Sequence, residues 1–343
     1  MQEWEEPGAY EVAPDVFRIP LPLPQDGLRA VNVYAIRDGH RLVLVDGGWA
    51  IPESRKQLAT ALAGIGADVR DITRVLVTHI HRDHYTQAVA LRREFGAQVW
   101  LGRGEQPALR AIQDPDAVGG SAQFDLLVRH GAEPVLAGLQ ALGFGMPIDL
   151  DDWQDPDEWL PAPVDVPVTG RTLRAVPTPG HTSGHVVFAD LDSGLLFAGD
   201  HVLPHITPSI GFEPDPAELP LQEYLDSLRV VRGLPDLTLL PAHGPTAPGT
   251  HRRIDELLAH HADRLATMHV AVGADLLTAY DVARRVPWTR RERRFADLDP
   301  FNQMLAVCET GAHLDLLAVQ GRLVREDEGV QRRYRAAHGS APS

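Results

Sequence analysis

The stretch "VTHIHRDHYTQA", residues 77–88, sets three histidines and an aspartate (His79, His81, Asp83, His84) directly after an apolar run. A strand that runs into "THIHRDH" stops pairing there, so His79 and His81, two apart, project to one side and can chelate a single ion. Asp83 and His84 fall at the start of the following helix pattern, where they can face a second ion. Imidazole and carboxylate without sulfur suit zinc, with iron or manganese as alternatives. Ligands that leave coordination positions open point to catalysis, since a structural site is normally closed by four protein ligands. No packing or propensity requirement asks for HxHxDH.

Working outward, "VFRIPLPLP", "LRAVNVYAI" and "RLVLVDGG" read as a strand meander broken by turn residues. "PESRKQLATALAGIG" carries Leu58, Leu62 and Ile65 on one helical face, with Gly66 as its stop. "ITRVLVTH" is a buried strand, "YTQAVALRREFG" a helix ending at Gly96, and "AQVWLG" another strand. This alternation predicts an α/β domain with helices layered on sheets. Residues 104–162 break the rhythm and read as two or more inserted helices and a Pro-rich acidic loop. Strands resume with "RTLRAVPTPGH", "HVVFADLDSGLLFAGD" and "LTLLPAHG". After Pro248 a long helix, a short helix, a third helix and a β-turn or wing follow, the order of a winged helix. The expected division is a catalytic unit over 1–248 and a winged-helix-like unit over 249–343.

The chain has 343 residues, 44% hydrophobic and 23% charged, with a single cysteine, Cys308. Internal disulfides and thiolate clusters are thereby excluded. A formal charge of −15 disfavours a broad nucleic-acid-binding surface, which needs Lys and Arg against phosphates. No apolar run approaches the roughly 20 residues a bilayer requires. The acidic start "MQEWEEPGAY" lacks signal-peptide character, so a cytoplasmic location is the expectation.

Five ordered segments carry a resemblance: "LVLVDGG" with Asp46, "THIHRDH", "PTPGHTSGH" with His181, "FAGD" with Asp200 and "LLPAHG" with His243. Over roughly residues 10–248 the chain resembles the metallo-β-lactamase superfamily of binuclear metal hydrolases. The resemblance implies an αββα sandwich and two divalent metal ions, Zn2+ before Fe or Mn. It implies that His79, His81 and His181 hold the first ion, that Asp83, His84 and His243 hold the second, and that Asp200 bridges them. Asp46 would support the ligand loops through hydrogen bonds. Two such cations, about 3.5–4 Å apart, would generate a bridging hydroxide nucleophile near neutral pH, with Asp83 as the group that orients the water and takes its proton.

His185 is expected to play a structural role behind the ligands, and His201 and His205 to border the substrate cavity. His260, His261 and His269 on the long helix read as a solvated face. Order of elements in the tail further resembles the lactamase-β-like group, which contains endoribonucleases and acyl-carrier or polyketide thioesterases. The substrate expectation is a thioester, activated ester or lactone of a small organic acid, with a phosphodiesterase or endoribonuclease as the alternative. The arginine-containing run "RRVPWTRRERR" (284–294) reads as a solvated loop, with a local basic patch as the alternative. Apolar residues of the insertion, among them Phe124, Leu127, Leu139, Phe144 and Met146, would either wall a pocket or form their own core. A DNA-binding metal sensor is the remaining alternative, disfavoured because "FNQMLAVCETGAHLDLLAV" is poor in Arg and Lys. The expected partner is a small molecule rather than nucleic acid or membrane, with a homodimer through the tail left open.

Overall fold

The computed structural model describes residues 4–24, 27–114, 121–144, 149–214, 216–289 and 292–337. Met146, Arg290 and Arg291 lie outside the described residues. The first sheet contains β1 (Tyr10–Ala13), β2 (Val16–Pro22), β3 (Ala30–Asp38), β4 (Arg41–Val45), β5 (Ile72–Val77), β6 (Gln98–Gly102) and β7 (Glu158–Leu160), paired in sequence order. Its first four strands are antiparallel and the joins from β4 to β7 are parallel. The second sheet runs β12-β11-β10-β9-β8, from β8 (Val164–Val168), β9 (Arg171–Pro177), β10 (Val186–Asp190), β11 (Leu195–Gly199) and β12 (Thr238–Pro241).

Strand alternation builds the layers. Val43, Val45 and Leu76 face Val186, Phe188, Leu195 and Phe197 across the gap between the sheets. Their sequence neighbours Leu42, Leu44, Val75 and Val77 point the other way, onto α1 (Pro52–Gly64) and α2 (Arg82–Phe95). On the second sheet Val187, Ala189, Leu196 and Ala198 likewise face outward onto helices. Strands buried on both faces read as continuous apolar runs, which is why β4, β5, β10 and β11 are legible without a structure. The result is an αββα metallo-β-lactamase sandwich, as expected. α2 begins directly after His81, carries Asp83 in its first turn where the helix dipole favours a carboxylate, and stops at Gly96 in the left-handed conformation.

The insertion holds α3 (Gln106–Gln113), α4 (Ser121–Arg129) and α5 (Glu133–Ala141), but its end is not all loop. Glu158–Leu160 is β7, added to the edge of the first sheet. Three residues flanked by prolines are too short a run to show a period. The helix α6 (Pro220–Arg232), not read from the sequence, covers the second sheet and buries Tyr224, Leu225 and Leu228.

The tail comprises α7 (His251–Val272), β13 (Leu277–Thr278), α8 (Ala279–Ala283), α9 (Pro300–Val319) and the hairpin of β14 (Leu323–Glu328) and β15 (Gln331–Ala336), with β15 central in a three-stranded sheet. One apolar cluster runs from β10 and β11 through α6 and α7 to α9 and β15, so tail and second sheet share a core. α9 is buried over almost all of Met304–Leu317. The expectation of a solvated histidine face on α7 is corrected at His261. That ring is fully buried and stacked on His313, 5.3 Å between centroids, because it falls on the inward stripe Ile254, Leu257, His261, Leu265, Met268 and Val272. In the 284–294 run, Arg285 pairs with Asp275 and Arg294 with Asp297. Among the described residues no helix is long and apolar enough to cross a membrane.

Candidate metal centre

The candidate residues come from the C-terminal ends of β4, β5, β9, β11 and β12 and the turns that follow, the edge where open α/β sheets gather their functional groups. The two sheets are locked together at this edge by buried hydrogen bonds. The Asn32 side-chain amide donates to the carbonyls of Pro241 (3.0 Å) and Gly244 (2.9 Å), and Tyr34 Oη–H donates to Pro241 (2.8 Å).

Two groups of potential ligands result. His79, His81, His181 and Asp200 each offer an atom within 4.8 Å of the others, and so do Asp83, His84 and His243. His79 Nε2 and His181 Nε2 lie 3.0 and 3.1 Å from His81 Nδ1. Nitrogens held about 2.0–2.1 Å from one tetrahedral ion stand roughly 3.3 Å apart, close to these separations. Asp200 has Oδ2 3.4 Å from His181 Nε2, while its Oδ1 is 3.3 Å from His243 Nε2 and 3.7 Å from His84 Nε2. Each oxygen of this one carboxylate therefore faces a different group. Asp83 Oδ2 lies 3.5 Å from His243 Nε2 and 3.7 Å from His84 Nε2.

Tautomers are set from behind. Asp46, in the left-handed conformation at φ 63°, accepts from the backbone N–H of Thr78 (2.8 Å) and from Thr78 Oγ1–H (3.0 Å). Its other oxygen accepts from His84 Nδ1–H (2.9 Å), so the neutral form of His84 presents its lone pair at Nε2. Because Thr78 Oγ1–H is given to the carboxylate, Thr78 Oγ1 accepts from His79 Nδ1–H (3.1 Å), and His79 Nε2 is likewise freed. His181 Nδ1–H donates to Ser209 O (2.7 Å) and His243 Nδ1–H to Ala30 O (2.8 Å). Asp46 thus orients one ligand of each group, directly or through Thr78. Thr78 escapes a reading of the sequence because a lone threonine after a strand carries no signal of its own.

These residues suit cations. Among the described residues, Nε2 of His84, Nε2 of His243 and Oδ1 of Asp200 are buried without a hydrogen-bond partner. Such atoms cost about 1–3 kcal/mol each unless something accepts their lone pairs. Burial and the neighbouring imidazoles hold His79 well below its ordinary pKa; burial and His181 push His81 down to about 3. Burial would lower His84 as well, but the carboxylates of Asp46, Asp83 and Asp200 outweigh it and raise it to about 10. Burial opposes ionisation of Asp83 and Asp200, yet the surrounding imidazoles, led by His84 for Asp83 and by His243 for Asp200, hold both below the ordinary carboxylate range.

His185 stands behind the ligands: its Nε2 accepts from the Asp200 backbone N–H (3.2 Å), and its Nδ1–H donates to Thr178 Oγ1 (2.8 Å). His201 does not border an open cavity. It is fully buried with its ring 5.3 Å from Tyr224, because it follows β11 into the layer covered by α6. His205 is exposed and lies against Gly244, beside His243.

A family model described as the metallo-β-lactamase superfamily matches residues 26–243. The atrochrysone carboxyl ACP thioesterase of Aspergillus fumigatus is 25% identical over 245 residues, 70% of this chain and 44% of that protein, so the chain spans less than half that relative's length. The probable metallo-hydrolase YqjP of Bacillus subtilis is 23% identical over 342 residues, 92% of this chain and 96% of the relative. Among solved structures, a β-lactamase domain protein from Burkholderia ambifaria superposes with a TM-score of 0.81 at 30% identity, covering 98% of this chain and 96% of that one. A metallo-β-lactamase family protein from Thermus thermophilus gives 0.78 at 28% identity, covering 95% and 100%. At such coverage the similarity runs through the insertion and the tail.

Proposed function

This chain belongs to the metallo-β-lactamase superfamily, and from that premise we propose that it is a binuclear, zinc-dependent hydrolase acting on a thioester, activated ester or lactone of a small organic acid. The single observation that carries the binuclear reading is Asp200, with one oxygen toward His181 and the other toward His243 and His84. In this reading His79, His81 and His181 would hold one cation and Asp83, His84 and His243 the other, with Asp200 available to both groups. Cations bound there would supply Lewis acidity, making a water more acidic and polarising the scissile carbonyl.

The chain's own residues then set the leaving group. Asp83 and Asp200 are both held ionised, so neither can donate a proton to a leaving group at neutral pH. Asp83 would be the group that orients the attacking water and receives its proton. A thiolate, with a pKa near 8.5, departs without help from a general acid, whereas an alkoxide or amide does not. The thioesterase named among the relatives supports this class. α9 is buried, which supports a bracing role for the tail over groove reading in DNA.

The test is a panel of substrates given to the metal-loaded protein: acyl-CoA, acylglutathione, homoserine lactone, bis-p-nitrophenyl phosphate and single-stranded RNA. Turnover concentrated on the thioesters is the expected result; hydrolysis of the phosphodiesters alone refutes it. His79→Ala should lose one cation by elemental analysis together with activity.

A further inference from the structure

Between the candidate metal centre and the helical layer runs a line of aromatic rings drawn from three distant segments. Phe212, on the loop after Asp200, has its ring 6.1 Å from that of His81. Phe301, in the first turn of α9, lies 5.8 Å from Phe212, nearly perpendicular at 78°. Phe144, just past α5 in the insertion, lies 6.0 Å from Phe301. All three residues are half-buried, packed against the large apolar cluster on one side.

The line is held in place on every side. Ser209, on the same loop as Phe212, accepts the Nδ1–H of His181 (2.7 Å). Gly211 sits so close to α9 that a Cβ there would stand 3.3 Å from the Cys308 carbonyl. The Gln123 side-chain amide of α4 donates to Phe212 O (3.2 Å). α5 meets the start of α9 where a Cβ on Gly138 would stand 2.7 Å from the Pro300 ring. Loop, insertion and tail are thus packed as one unit whose edge reaches His81.

We infer that Phe212, Phe301 and Phe144 form the wall of an acyl subsite that opens from His81 and selects an aromatic or bulky apolar acyl group. Three uncharged rings favour a guest in proportion to the apolar surface it removes from water, and give no counter-charge to a polar or anionic one. That the guest is an acyl group rests on the hydrolase reading above; the apolar selectivity does not.

Two measurements separate them. Affinity of the metal-loaded full chain for phenylacetate and for acetate is measured by calorimetry, and kcat/KM is measured on phenylacetyl and acetyl thioesters of CoA. The wild type should prefer the phenyl compound in both. Phe301→Ala and, in the insertion, Phe144→Ala should each lower that preference by about tenfold, the size expected for loss of one aromatic contact. Phe301→Leu, which stays apolar, should retain most of it. An unchanged phenyl preference in folded, metal-replete Phe301→Ala and Phe144→Ala overturns the subsite. If the thioesters are not cleaved but the phenylacetate preference exists and falls in these variants, the subsite stands and the thioesterase reading falls. Hydrolysis of both thioesters without preference has the opposite meaning: the thioesterase reading stands and the subsite falls.

Discussion

Replacing Asp46 by asparagine isolates the tautomer control at the centre. Asparagine keeps the shape and tolerates the left-handed backbone at φ 63°. It has only one acceptor oxygen. With that oxygen left on Thr78, where N–H and Oγ1–H approach at 2.8 and 3.0 Å, the new NH2 confronts His84 Nδ1–H, 2.9 Å from the original carboxylate. Two donors cannot share that contact. In the neutral form that must bind the cation, His84 relieves it by carrying its single proton on Nε2, the atom required for the second cation. Loss of a hydrogen bond to a charged acceptor is worth about 1.5–3 kcal/mol, which is roughly 10–100-fold in affinity at the second group. The first group, reached through Thr78, should change less. Titration with zinc against a chromophoric chelator, with the cations counted by elemental analysis, reads both sites. Thr78→Val is the mirror experiment: it removes the acceptor for His79 Nδ1–H and should weaken the first group instead. Two cations per chain at wild-type affinity in Asp46→Asn would refute the reasoning.

Before a cation binds, His84 is held protonated up to about pH 10, whereas His79, His81 and His181 are held neutral at pH 7. Affinity at the second group should therefore rise about tenfold per pH unit between pH 7 and 9 with release of one proton, and at the first group stay nearly flat, as calorimetry in buffers of different ionisation enthalpy will show. Burial pushes His130, His201 and His313 down to about 3 and His261 to about 2, so the unfolded chain binds more protons than the folded one below pH 6.5. Stability should fall as pH drops from 6.5 toward 4, and a His261→Leu/His313→Leu variant should show a shallower slope in urea titrations. A Cβ on Gly311 of α9 would stand 2.3 Å from the His130 ring, so Gly311→Ala should lose about 1–3 kcal/mol by urea midpoint while keeping its metal stoichiometry.

By itself the sequence determined, for local reasons, the α/β layering and the ligand cluster of residues 79–84, while the αββα sandwich and the distant ligands His181, Asp200 and His243 followed from the family resemblance. A strand buried on both faces must be apolar throughout, so β4, β5, β10 and β11 stand out, and a ligand at the end of such a strand sits beside an unmistakable run. His79, His81, Asp83 and His84 are near neighbours in the chain, so their spacing alone implies chelation. Tertiary structure decided whatever depends on packing between distant segments. It put Thr78 between Asp46 and His79, turned His201 into the α6 layer and buried His261 against His313, and no local pattern distinguishes these residues from others of their type. It also brought Phe144, Phe212 and Phe301 to one edge beside His81. A phenylalanine reads as core wherever it occurs, and only the meeting of loop, insertion and tail sets three of them in a line that ends at His81.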